Sequence, residues 1–568
     1  MTIDMFIGLF GGLGLFIYGM NMMGEGLKTV AGNRMKRLLE VLTNNHIMGV
    51  LVGTIVTMII QSSSATTVLV VGFVNAGIMN LMQATGVIMG ANIGTTITAQ
   101  MIALNLSQIA PIAITIGSIM FLFSKRKKIK QTGLIILGFG ILFTGIDFMA
   151  GAMKPLRDHE GFKSLLISFS RNPILGVIAG FVLTAIIQSS SASIGLLQVL
   201  AMSGAFSNVP GVSVLALIVP ILLGENIGTC VTAMLSSIGA SKTAKRAAII
   251  HFSIKIIGTI WALLALGLIS LISAGNNPFY GFIANISGTT LMEGNIVPNV
   301  ARQIANVHTI FNILNTLLLL PFAPSIVKLS EKILPGEEKE DLGGLKYLDD
   351  RIMENPTIAV GQAVKETVRM AKFSLENVNT AVKAFFDKDE ELIEIVLDKE
   401  QSINSLEREI TSYLIKLSNS NLLERDNIKI TNLYHTTNDV ERIGDHAENI
   451  AELAQLSIDN NLFFSDIAIS ELEDMASRVG SVLRDSITAL ENDDIELAKT
   501  IYSQEQEIDN LEESLRDSHI ERLNKQLCHP SSGVIFLDIV SNLERIADHA
   551  TNISKTVLDL EKDGNKIF

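Results

Sequence analysis

The chain has 568 residues, with 44 Lys and Arg against 57 Asp and Glu, and its mean hydropathy is +0.40. That is too long for one ordinary domain and too apolar for a soluble protein of this size. Two cysteines, Cys230 and Cys528, exclude a disulfide framework and a cysteine-built zinc site, and an acidic chain without basic-aromatic clusters excludes a nucleic-acid partner.

Charge divides the chain. Residues 1–333 carry 20 Lys and Arg against 9 Asp and Glu, and the rest carry 24 against 48. The first apolar run, 3–23, lacks a positive leading region and a small-residue cleavage site, so it reads as a retained membrane helix rather than a signal peptide. Two short runs follow, 47–60 and 65–79, separated by Gln61-Ser62-Ser63-Ser64. Each falls short of the roughly 20 residues that cross a bilayer, which predicts a re-entrant hairpin. Runs at 84–104, 109–123 and 131–150 come next. A second short pair, 174–187 and 192–203, flanks Gln188-Ser189-Ser190-Ser191, and runs at 212–236, 247–272 and 303–328 complete the membrane part.

The pattern repeats. Asn45, Gly49, Gly53 and Thr57-(...)-Gln61-Ser62-Ser63-Ser64-Ala65 return as Asn172, Gly176, Gly180 and Thr184-(...)-Gln188-Ser189-Ser190-Ser191-Ala192, all at an offset of 127. Gly90-Ala91-Asn92-Ile93-Gly94-Thr95 returns as Gly224-Glu225-Asn226-Ile227-Gly228-Thr229 at an offset of 134. Two matches in one order predict an internal repeat, about 1–124 and about 131–272, followed by a final helix at about 303–328. The basic clusters Lys28, Arg34, Lys36 and Arg37; Lys125 to Lys130; and Lys242 to Arg246 are expected on the cytoplasmic side. If each Gln-Ser-Ser-Ser segment is a hairpin, this makes the repeats inverted. Loop 151–173 would then be external, although it carries Lys154, Arg157, Lys163 and Arg171.

Backbone broken within hydrocarbon is tolerated only inside protein or beside a water-filled cavity. Inverted repeats with paired broken helices are the sequence pattern of a secondary transporter whose site lies near the midplane. A serine cluster opening a helix supplies cap hydroxyls, and the first turn offers unpaired N–H groups at the positive end of the helix dipole, a site for an oxyanion. Gln61, Gln188, Asn92, Asn226, Thr95 and Thr229 offer oxygen ligands suited to a small cation. A divalent anion entering a negative interior works against about 2.3 kcal/mol per charge per 100 mV, which cation co-transport cancels. No nucleotide-binding loop is present to supply energy otherwise. The competing reading is that these small polar residues only bind helices to one another.

With these motifs the first 330 residues or so resemble the type II sodium–phosphate cotransporter family. The resemblance implies that Gln61, Ser62, Ser63, Ser64, Gln188, Ser189, Ser190 and Ser191 bind phosphate. It also implies that Ala65, Thr66, Asn92, Thr95, Ser193, Asn226 and Thr229 bind sodium as the coupling ion. Other polar residues in apolar runs have no such assignment. Glu225 replaces the Ala91 of the first copy, and is expected either to hold a proton or sodium or to pair with Lys255. His251, and His308 with Asn306 and Asn312, stay open between structural and functional roles.

Residues 333–356 contain Pro-Gly and Gly-Gly pairs and read as a linker. Beyond it, helical periodicity covers about 357–388, 390–420, 424–457, 466–492, 494–528 and 532–561, which predicts two three-helix bundles over 357–562. This half repeats too. Glu400-Gln401 and Glu505-Gln506 are 105 apart, and Glu441-Arg442-Ile443-Gly444-Asp445-His446 and Glu544-Arg545-Ile546-Ala547-Asp548-His549 are 103 apart. In each copy a Glu and an Asp four residues apart share a helix face, where they repel unless a cation or an arginine network bridges them. The pattern resembles PhoU, a helical regulator of phosphate uptake, and implies that Glu441, Asp445, Glu544 and Asp548 hold transition-metal ions.

The fold class expected is therefore all-α: a polytopic membrane domain at 1–332, with two inverted repeats each holding a re-entrant hairpin, and a cytoplasmic PhoU-like domain. The function expected is sodium-driven phosphate symport across the cell membrane, not an enzyme, by a protein that also forms homo-oligomers as one option. The alternatives are a membrane-anchored phosphate sensor and a carrier of another oxyanion.

Overall fold

The computed structural model describes residues 3–31, 46–206, 213–273, 277–292, 295–336, 344–420, 422 and 424–564. The basic residues Arg34, Lys36 and Arg37 and the repeat residue Asn45 lie outside them. The chain forms two compact units, Met1–Glu338 and Lys339–Phe568.

In the first unit, α1 (Ile3–Ala31) is followed by α2 (His46–Ile60), α3 (Ser63–Asn75), α4 (Leu81–Gly94), α5 (Thr96–Ala103) and α6 (Ala110–Phe123). The second copy runs in the same order with one further described helix, α8: α7 (Lys127–Met153), α8 (Glu160–Arg171), α9 (Pro173–Ile187), α10 (Ser190–Met202), α11 (Val214–Gly228), α12 (Cys230–Ser236) and α13 (Lys242–Ile272). Five helical stretches among the described residues are long and apolar enough to cross a membrane, and seven if two bent pairs each count as one span.

Glycine sets the packing of both copies in the same way. Gly53 of α2 meets the Val87 carbonyl and Gly90 of α4 meets that of Val50; Gly180 of α9 meets the Ile221 carbonyl and Gly224 of α11 meets that of Val177. A Cβ at any of these four positions would overlap backbone. The pairs α2–α4 and α9–α11 are therefore in backbone contact, which glycine permits and larger residues do not. The copies also interlock, since α3 packs on α12 and α10 on α5. Gly180→Val is expected to destabilise the unit by about 1–3 kcal/mol, as overpacking does. Gly14→Val, where a Cβ meets nothing within 4 Å, is expected to be neutral. Thermal unfolding in detergent compares the two.

Three segments differ from the sequence expectation. Residues 151–173 are not a loop: a tight turn at Lys154–Asp158 leads into the amphipathic α8. After α14 (Pro278–Ser287) a short hairpin forms from β1 (Thr289–Met292) and β2 (Asn295–Pro298), antiparallel with Thr289 opposite Pro298, so the fold is nearly all-helical rather than all-α. The final helix is two, α15 (Val300–Leu319) and α16 (Ala323–Ile333), since Pro321 and Pro324 supply no N–H at the junction. Arg246 closes the far end by donating to the carbonyls of Leu334 and Gly336.

The second unit contains α17 (Pro356–Asp387), α18 (Glu390–Ser418), α19 (Glu424–Asp459), α20 (Asp466–Asn492), α21 (Ile495–Asn524) and α22 (Pro530–Gly564). They form two three-helix groups joined through α19 and α22. Apolar residues at helical spacing line the core, among them Ile403, Leu406 and Ile410 of α18 and Ile443, Ala447 and Ile450 of α19, all fully buried. Buried Glu366 of α17 ties down the segment before it. Its carboxylate accepts the N–H groups of Lys346, Tyr347 and Leu348 and pairs with Arg369.

Candidate functional site

The two Gln-Ser-Ser-Ser segments adopt the same backbone. α2 ends on Gln61 in the left-handed region (φ 59°) and α9 ends on Gln188 there (φ 56°). Each glutamine N–H closes the helix, Gln61 onto the Thr57 carbonyl at 2.8 Å and Gln188 onto that of Thr184 at 2.7 Å. The next residue is extended and caps the following helix. Ser62 Oγ accepts from the Ala65 N–H at 3.1 Å, and Ser189 Oγ from the Ala192 N–H at 3.2 Å. The first-turn N–H groups of Ser63 and Ser64, and of Ser190 and Ser191, have no intrahelical acceptor and point out of the helix N-terminus. Ser63, Ser190 and Ser191 are buried, with relative exposures of 8%, 5% and 6%. Each break thus presents a cluster of neutral donors at a positive helix end.

Gln61 and Gln188 differ beyond the backbone. Gln61 is buried, and its Oε1 accepts from Thr98 of α5 at 3.0 Å. Gln188 is exposed. α5 also reaches the second copy, because Gln198 of α10 donates to the carbonyls of Ala99 at 2.9 Å and Ala301 at 3.0 Å. One short helix therefore touches both the first break and the helix that follows the second.

The residues expected to ligate sodium lie in buried surroundings. Thr66 Oγ1 donates to the Ser62 carbonyl and accepts from Thr57, while Ser193 Oγ donates to the Ser189 carbonyl. Thr95 and Thr229 direct their hydroxyl protons to the backbone of Ala91 and Asn226, leaving oxygen lone pairs free to face a cation. Asn92 Nδ2 is buried without a partner among the described residues. Asn226 Oδ1 accepts from Lys255 Nζ at 3.0 Å. That bond replaces the expected Glu225–Lys255 pair: both carboxylate oxygens of Glu225 are buried and unpartnered among the described residues. Asn306 is a structural bridge, donating to Ser287 and accepting from Gln100.

In the acidic unit, other carboxylates gather around two of the expected ligands, Asp445 and Asp548. Asp445 can offer a ligand oxygen together with Glu400 and Glu448, and Asp548 together with Glu505 and Asp509, with the atoms of each trio within 4.8 Å of one another. Glu441 and Glu544 stand one turn before the aspartates and fall outside both trios; Arg442 pairs with Glu441 at 3.9 Å and with Asp445 at 3.6 Å. The additional carboxylates come from α18, α19 and α21. The repeated Glu400-Gln401 and Glu505-Gln506 were the sequence signal for two of them, Glu400 and Glu505; Glu448 and Asp509 had none.

Burial, and then the charges of Asp445, Glu448 and Glu441, push the Glu400 carboxyl up to about 8. Burial followed by neighbouring carboxylates also raises Glu441, Glu448, Glu505, Asp509 and Glu544. A side-chain hydrogen bond with Asn404 opposes the rise at Glu400 only in part. The donor set fits a hard cation bound through carboxylate oxygen. A carboxyl raised in the folded state holds more protons folded than unfolded between its ordinary 4.5 and about 8. Stability should therefore fall as pH rises through that window. Glu400→Gln is expected to flatten the fall, read as the unfolding midpoint of the full chain against pH.

The family model described as Na+/Pi-cotransporter matches residues 15–151 and 154–293, and the PhoU domain model matches residues 367–454 and 472–557. The chain is 23% identical over 557 residues to the "Putative inorganic phosphate export protein YjbB" of Escherichia coli (strain K12), covering 97% of each. It is 31% identical over 322 residues to the "Uncharacterized protein YqeW" of Bacillus subtilis (strain 168), covering 57% of this chain and 96% of that one. The crystal structure of PhoU from Pseudomonas aeruginosa aligns with 37% of the chain and 99% of its own length, at 23% identity and a TM-score of 0.35.

Proposed function

We propose that this chain, which belongs to the Na+/Pi-cotransporter family and carries a PhoU domain, is a secondary active carrier that moves inorganic phosphate together with sodium. The two copies lie inverted in the cell membrane, each Gln-Ser-Ser-Ser break is the tip of a re-entrant hairpin, and the PhoU domain faces the cytoplasm. Phosphate is held by Gln61 to Ser64 and Gln188 to Ser191. Sodium is held by the oxygens of Ala65, Thr66, Asn92, Thr95, Ser193, Asn226 and Thr229. The observation that carries this reading is the duplicated break, in which a left-handed glutamine and a capping serine recur with the same backbone bonds. Two such helix ends supply neutral donors to a divalent oxyanion, and an accompanying cation offsets its charge.

The PhoU domain adds regulation. The two carboxylate trios hold transition-metal or similar cations, and the state of these sites biases the carrier. Purified full-length protein in liposomes, with labelled phosphate outside, tests the transport reading. Accumulation above equilibrium only under an inward sodium gradient supports it, and equal uptake with choline in place of sodium overturns it. Outward flux is a second reading, favoured by the name of the Escherichia coli relative. Phosphate-loaded vesicles that release label faster than protein-free ones support that direction.

A further inference from the structure

The second break differs from the first in what it leaves unsatisfied. In the first copy, Thr57 donates to Thr66 at 3.0 Å and Thr98 donates to Gln61 at 3.0 Å. The equivalent residues of the second copy, Thr184 and Thr232, have buried hydroxyl oxygens with no hydrogen-bond partner among the described residues. Position 91 of the first copy is a buried alanine, and its equivalent is Glu225, with 0% exposure and neither carboxylate oxygen bonded. Lys255, the nearest candidate counter-charge in sequence expectation, is engaged with Asn226 instead.

Helix geometry puts these groups on one side. Val214–Ser236 behaves as a single apolar span, so Glu225 and Thr232, seven residues apart, share a face. In the first copy that face carries Thr98 to Gln61 at the break. α9 lies alongside, with Gly180 against the backbone N of Glu225 and Thr184 against Gly228. Four oxygens, two from a carboxylate and two from hydroxyls, are thus left without partners among the described residues on the packed pair α9 and α11 and on α12. An unpaired carboxylate buried in a membrane domain is strongly unfavourable unless a cation or proton neutralises it.

We propose that Glu225, with Thr184 and Thr232, forms a binding site for a small monovalent cation, sodium, beside the second break and without a counterpart in the first. The site deepens the sodium-coupled reading and rests on it for the identity of the cation. Carboxylate and hydroxyl oxygens are hard ligands that suit an alkali cation. Because only one copy has the carboxylate, the two breaks differ in charge, and one sodium binds with protein charge opposing it.

The test uses full-length protein in detergent and in liposomes. Equilibrium binding of labelled sodium, and the rise in unfolding midpoint that sodium produces, are measured without phosphate in wild type, Glu225→Gln and Glu225→Asp. Glu225→Gln is expected to weaken the binding of one sodium at least tenfold and to reduce the sodium-induced midpoint rise, while Glu225→Asp keeps part of what is lost. If Glu225→Gln does not fold, the double variant Thr184→Ala with Thr232→Ala, which retains the carboxylate, is expected to weaken sodium binding several-fold. Unchanged sodium binding in Glu225→Gln, or in the double variant where that one fails to fold, overturns the site. So does a change confined to pH dependence, which would assign Glu225 a proton. Liposome uptake separates the two claims. Glu225-dependent sodium binding with sodium-independent uptake keeps the site and removes the coupling, and sodium-driven uptake with the same sodium dependence in Glu225→Gln does the reverse.

Discussion

Ser63→Ala and Ser190→Ala are each expected to raise the phosphate concentration for half-maximal uptake by about 10- to 100-fold. The estimate follows from losing one hydrogen bond to a charged group, about 1.5–3 kcal/mol. Both serines occupy the first position of a helix, α3 or α10, directly after the capping residue, and both are buried. Alanine is the best helix former and leaves the caps of Ser62 and Ser189 in place. The variants should therefore fold and insert normally, and the loss should fall on affinity. The neighbouring caps give the contrast. Ser62→Ala and Ser189→Ala each remove an acceptor for a backbone N–H and should lower stability by about 1 kcal/mol. Labelled phosphate uptake at fixed sodium, with unfolding midpoints on the same preparations, distinguishes the two outcomes. Unchanged half-saturation in both Ser63→Ala and Ser190→Ala would take these hydroxyls out of the phosphate site.

The double variant Asp445→Asn with Asp548→Asn is expected to weaken binding of manganese to the full-length chain by about 100-fold or more. Each aspartate is the member of its trio shared between the sequence motif and the geometric cluster. The remaining carboxylates hold their protons more tightly than usual because burial and neighbours disfavour charge. A cation binding there displaces those protons and relieves the repulsion, so affinity should rise with pH. A ligand present at 100 times its dissociation constant stabilises the folded state by about 2.7 kcal/mol. Saturating manganese should accordingly raise the unfolding midpoint of wild type and leave that of the double variant unmoved. Glu441→Gln should act more weakly, since Glu441 lies outside the trio and contacts Arg442. Equal manganese affinity in wild type and the double variant would assign the acidic faces to salt-bridge networks alone.

Periodicity made much of the architecture readable. The six helices of the acidic unit were placed to within a few residues by their apolar spacing, because each buries one stripe in a core and breaks at polar turns such as Asn419-Ser420 and Asp459 to Asn461. The duplicated breaks were legible because each needs a left-handed residue and a serine cap at one spot, which constant offsets expose. The β-hairpin at 289–298 and α8 carried weaker signals. The first has two strands of only four residues, and the second is amphipathic and short, so neither forms a long apolar run.

At the sites, contacts between distant segments were the unreadable part. Glu448 neighbours Asp445 on one helix, but Glu400 joins them, and Glu505 with Asp509 joins Asp548, only through packing between helices. Lys255 lies nearly thirty residues from Asn226 and Glu225, and only the fold decides that its ammonium meets the amide rather than the carboxylate. The sequence marks Glu225 as the residue that breaks the internal symmetry. Its lack of partners is visible only in three dimensions.

Arsenate mimics phosphate and scatters anomalously, so a crystal structure of the full-length protein with arsenate and sodium locates the transported anion. One arsenic peak within about 3–4 Å of hydroxyl or N–H groups from both Ser62–Ser64 and Ser189–Ser191 is the predicted result, matching hydrogen-bond reach from the arsenate oxygens. A peak held by one cluster alone, or elsewhere in the first unit, would contradict a shared anion site at the two helix breaks.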